Sequence, residues 1–78
     1  MNMVYESDYL RLGLKIAYYR KLRGLTQEQL AEKVDVTPAF LGHVEAPNVY
    51  KAISLDTLFA IASALNVPAY KFLMFDED

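Results

Sequence analysis

Seventy-eight residues make one domain near the lower size at which an unaided apolar core holds a fold, and the absence of cysteine excludes disulfide staples and cysteine-ligated zinc. Stability must come from apolar burial, for which a 54% hydrophobic composition is ample and leaves some apolar surface to share with a partner. Ten acidic against eight basic residues give a net charge of −2, so the broad basic excess common in nucleic-acid binders is missing and local charge placement has to decide. Some of the acids gather at the ends, in Glu6 and Asp8 and in Asp76-Glu77-Asp78. No apolar run approaches the roughly 18 residues of a membrane span. The start, Met1-Asn2-Met3-Val4, lacks the basic flank and long apolar stretch of a signal peptide, so the chain reads as cytoplasmic with no membrane partner.

Helical periodicity runs through nearly the whole chain, without the alternation of strands. A first helix is expected from an N-cap at Ser7 or Asp8 to Arg23, with Gly24 as its stop. Thr26-Gln27-Glu28-Gln29 is a capping box that opens a second helix, carrying Leu30 and Ala31 inward and ending near Lys33-Val34. After Asp35-Val36, Thr37-Pro38 gives an N-cap followed by proline at the first helical position, and this third helix reaches Glu45. Residues 47–53 form a loop. Ser54 caps a fourth helix from Leu55 to Leu65, with Asn66 at its end, and Val67-Pro68 starts a short last helix through Phe72 or Leu73. The expected core is Leu12, Ile16, Leu30, Ala31, Val34, Leu41, Val44, Leu58, Ile61 and Leu65.

The informative stretch is 26–45: a capped helix of two turns, a tight corner and a second capped helix, with small Ala31 allowing close approach. Leu25-Thr26-Gln27-Glu28-Gln29-Leu30-Ala31-Glu32-Lys33-Val34, then Val36-Thr37 and Val44-Glu45, resembles the lambda-repressor-like (Xre-type) helix-turn-helix family of bacterial and phage transcription regulators. Leu12, Ile16 and Arg20 before it extend the likeness, as do Ser54-Leu55-Asp56-Thr57-Leu58 and Ala64-Leu65-Asn66-Val67 after it. The resemblance implies an all-α, five-helix domain within 1–78, with the family-like part at about 10–73, that binds double-stranded DNA and regulates transcription.

On a helical wheel Thr37, Phe40, Leu41 and Val44 share one face, while Pro38, Ala39, Gly42 and His43 look outward. The resemblance sends that outward face into the major groove, with Pro38, Ala39 and His43 against bases. Ala39 offers a methyl to thymine and His43 a donor or acceptor, but no arginine, asparagine or glutamine stands there for bidentate readout. His43 is equally readable as a solvated imidazole. Gln27, at the start of the second helix, and Thr37, at the start of the third, suit phosphate contacts. In the family the loop follows a flanking strand, which brings in Asn48 and Lys51. The chain departs from the family pattern at Asp35 and Pro47, where glycine is usual, and in a longer 45–54 connection.

The resemblance also pairs Arg20 with Glu45 in a partly buried ion pair, for which the planar guanidinium fork is suited. The first helix has a second apolar face, Leu10, Leu14 and Ala17 flanked by Tyr18, which either the last helix or another copy covers. Homodimerisation through the first and last helices would suit a palindromic site. Catalysis is poorly supported. The single histidine, His43, has only Glu45 nearby, the wheel turns the two apart, and no nucleophile motif, phosphate-cradling glycine loop or histidine cluster is present. No catalytic residue, metal, cofactor or small-molecule ligand is therefore expected. The competing reading is a protein-interaction or antitoxin-like module whose helix-turn-helix has lost its DNA surface.

Overall fold

The computed structural model describes residues 5–75. Four α-helices, α1 (Glu6–Leu22), α2 (Gln27–Val34), α3 (Pro38–Glu45) and α4 (Leu55–Leu65), precede a 3₁₀ segment at Ala69–Leu73. The fold is all-helical, but the expected fifth helix is not an α-helix. The segment that follows Pro68 is only five residues long, and so short a piece takes the tighter i→i+3 bonding.

Local chemistry accounts for most boundaries. Thr26 and Gln29 form the full capping box: the Gln29 N–H donates to Thr26 Oγ1 at 3.0 Å and the Thr26 N–H donates to Gln29 Oε1 at 2.8 Å. Phe40 N–H donates to Thr37 Oγ1 at 3.0 Å, and Thr57 N–H donates to Ser54 Oγ at 3.1 Å. The start of α1 differs from expectation. Its N-cap is Tyr5, without a side-chain cap, and Ser7 and Asp8 lie inside the first turn. There Glu6 and Asp8 favour the helix by placing negative charge against unpaired N–H groups. At the other end Gly24 takes φ +76°, and its N–H and that of Leu25 close on the carbonyls of Lys21 and Arg20. Asp35 turns the corner between α2 and α3 with φ 61° and ψ 45°, left-handed as expected of the position glycine usually fills.

The core is built from Leu12, Ile16, Leu30, Ala31, Leu41, Val44, Leu58, Ile61, Ala62, Leu65, Val67 and Phe72. Val34, expected inside, is only half-buried, because it is the last residue of α2 and borders the exposed corner. Phe72 was not foreseen. The 3₁₀ segment turns it fully inward, edge-on to Tyr19 with ring centroids 5.1 Å apart. Gly13 was also missed, and it decides how α1 and α3 meet. It is buried, and a Cβ on it would collide with the backbone carbonyl of Val44.

Three stability outcomes follow from this packing. Leu30→Ala should cost about 2–5 kcal/mol in a denaturant titration, as for a fully buried leucine. Gly13→Ala should cost about 3 kcal/mol or unfold the chain, since backbone cannot yield as a side chain can. A loss under about 1 kcal/mol would show that α1 and α3 can separate freely. Asp35→Gly should be neutral or mildly stabilising in thermal unfolding, because relief of the left-handed strain is offset by greater unfolded-state freedom.

Candidate nucleic-acid interface

The caps at Thr26 and Thr37 and the left-handed residue between them set α2 against α3, so that the start of α2 lies beside the outer face of α3. On that face Pro38, Ala39 and His43 are exposed. Gly42 is half-buried, and the Gln27 side-chain oxygen lies 3.6 Å from where a Cβ on Gly42 would stand. Thr37 is exposed, with its oxygen already accepting the capping N–H of Phe40 and its hydroxyl hydrogen left over for a further acceptor. Asn48 and Lys51 are exposed on the loop beyond α3. Lys51 does not simply wave in solvent: its ammonium sits 5.5 Å from the centroid of the Phe40 ring, which draws the loop's charge towards α3.

Behind this surface Arg20 of α1 and Glu45 of α3 form a buried two-pronged ion pair. Arg20 Nε donates to Glu45 Oε2 at 2.8 Å and Nη2 donates to Oε1 at 2.9 Å. Arg20 Nη1 donates to the Leu25 carbonyl at 2.6 Å, so the same side chain also holds the turn that leads into α2. This matches the sequence reading and exceeds it. Gln27 Nε2 donates to Glu45 Oε1 at 3.0 Å, a contact that sequence reasoning missed. Eighteen residues separate the two and no wheel relates them. One amide hydrogen of Gln27 is therefore committed inside the protein, which narrows the expected phosphate contact to the other.

The two options for the second apolar face of α1 are partly separated. The 3₁₀ segment covers the Tyr19 side, while Leu14 and Tyr18 remain exposed beside Arg11, Lys15 and Phe75. Leu10 and Ala17 are half-buried. Among the described residues no helix is long and apolar enough to cross a membrane.

A helix-turn-helix family model matches residues 16–72, most of the chain. The chain belongs to the lambda-repressor-like helix-turn-helix family. Members of this family are transcriptional regulators, not enzymes. The chain is 40% identical over 58 residues to the immunity repressor protein of Bacillus phage phi105, a match covering 74% of this chain and 39% of that protein. To the control protein C.SmaI of Serratia marcescens it is 36% identical over 62 residues, 80% of this chain and 71% of that one. Among solved structures it matches the restriction-modification controller protein C.AhdI from Aeromonas hydrophila with a TM-score of 0.77 at 26% identity, covering 85% of this chain and 97% of that chain. SinR, described as a master regulator for biofilm formation and solved in complex with DNA, matches with a TM-score of 0.73 at 31% identity, covering 80% and 97%. The family's shared helix-turn-helix thus spans the part of this chain in which Arg20, Gln27 and Glu45 meet.

The ion pair carries its own test. Because each charge is buried, removing one partner should cost on the order of 3 kcal/mol, while the joint apolar swap Arg20→Met/Glu45→Leu should cost far less. Chemical denaturation of the two single variants and the double should give a coupling energy above about 0.5 kcal/mol. Additive losses would mean that the two charges act independently.

Proposed function

We propose that this chain binds double-stranded DNA in a sequence-dependent way and acts as a small transcriptional regulator, with α3 entering the major groove. The observation that carries the reading is the exposed outer face of α3, flanked by the start of α2 on one side and the Lys51 loop on the other. Gln27, Thr37, Asn48 and Lys51 suit the DNA backbone, and Ala39 and His43 suit base edges. Pro38 and Gly42 add no reading group, so discrimination rests partly on DNA shape. Homodimerisation would place two copies of α3 about one helical turn apart on a palindromic site. Exposed Leu14 and Tyr18 on α1 and Leu73 and Met74 at the end of the last segment offer apolar surface for it.

Titration of random and genomic duplexes at two salt concentrations tests this. Affinity should fall steeply as salt rises. Lys51→Ala should weaken binding to every sequence alike and flatten the salt slope by nearly one. Substitutions at Ala39 and His43 should instead change the order of preferred sequences. Binding that ignores all three changes, or no binding at all, would favour a protein-partner role.

A further inference from the structure

The three glycines of the chain are not alike. Gly24 needs its positive φ, and Gly13 needs its missing Cβ because of the Val44 carbonyl. Gly42 needs neither: its φ is not positive, and a Cβ there would meet only the Gln27 side-chain oxygen, at an ordinary contact distance of 3.6 Å. What the glycine leaves is a notch on α3 with the Gln27 amide lying against it. That amide is also held at its nitrogen, by the 3.0 Å bond to Glu45 Oε1.

An unrestrained glutamine amide can turn over, exchanging its nitrogen for its oxygen at almost no cost. A phosphate accepts hydrogen bonds and cannot donate, so only one of the two orientations serves it. A carboxylate is likewise acceptor-only, so Glu45 admits the nitrogen and refuses the oxygen. Its negative charge would ordinarily repel a phosphate nearby. Here the Arg20 guanidinium, 2.8 and 2.9 Å from its two oxygens, balances that charge within the buried pair.

We propose that Glu45 is a positioning residue for DNA: charge-matched by Arg20, it presets the Gln27 amide against the notch at Gly42, with the second amide hydrogen delivered to a backbone phosphate. The inference rests on the DNA-binding reading above. Its physical gain is preorganisation, since a side chain already fixed in the free protein loses less freedom on binding. The pair that joins α1 to α3 thereby also sets the grip on DNA.

The experiment is an affinity cycle on a duplex enriched by the wild type from a random-core pool, at a temperature where circular dichroism shows every variant folded. Gln27→Ala should weaken binding about tenfold, because a hydrogen bond to a charged oxygen is lost while the capping box survives. The apolar swap Arg20→Met/Glu45→Leu should weaken it about fivefold by releasing the amide. The triple variant should be no weaker than Gln27→Ala alone, because no amide is left to orient. In ¹⁵N spectra of the free wild type the Gln27 side-chain amide should already be shifted from random-coil values, and the swap should return it to them. Independent action, seen as a loss of about fiftyfold in the triple variant, would overturn the proposal, as would wild-type affinity in Gln27→Ala. Should the swap not fold, a random-coil Gln27 amide in the free wild type overturns it equally well. Enrichment of no duplex at all would remove the DNA reading, and the proposal with it.

Discussion

A buried arginine and glutamate hold the working parts of this molecule in register. Arg20 spends all three guanidinium nitrogens inside the protein, two on Glu45 and one on the Leu25 carbonyl. It thereby links the last turn of α1, the turn into α2 and the end of α3. Desolvating two charges is costly, and the attraction between them repays it only when geometry and remaining hydrogen bonds are satisfied. That condition is met: among the described residues no buried side-chain polar atom lacks a partner. Close contact at Gly13 makes the pair possible, because α1 can lie against the backbone of α3 only where no Cβ intervenes.

Much of this was legible in the sequence because it is written in local chemistry. The caps at Thr26, Thr37 and Ser54 bond groups three residues away, so their signatures are contiguous. Asp35 could be placed in the left-handed region because the family resemblance puts glycine at that corner. Nine of the ten expected core residues are buried, and Val34 failed only because a helix end lies beside it. The misses are of another kind. Phe72 depends on how a 3₁₀ segment folds back, Gly13 on an interhelical distance, and the Gln27–Glu45 bond on how α2 packs against α3. None of these leaves a periodic trace in the chain.

The sparse outer face of α3 looks like a weakness only when α3 is viewed alone. In the proposed DNA-binding role its neighbours would supply what it lacks: an amide from α2, a hydroxyl from the cap and a cation from the loop. Lys51 shows how this is arranged, since its attraction to the Phe40 ring ties a loop charge to a side chain anchored in the core. A net charge of −2 is no obstacle to such a surface, because Lys51 is held beside α3 while Glu6, Asp8, Glu28 and Glu32 face solvent.

Arg23 has a part to play beyond the end of its own helix. Its guanidinium donates to the Leu65 carbonyl at 2.7 Å and the Asn66 carbonyl at 3.1 Å, capping α4 with a side chain 42 residues earlier in the chain. The last turns of α1 and α4 therefore cannot fray separately, since opening either one strips the other of its partner. Native-state hydrogen exchange should therefore find the amides at these two helix ends in one cooperative unit. The 3₁₀ segment, reached from Asn66 through Val67 and carrying Phe72 into the core, hangs from that same joint.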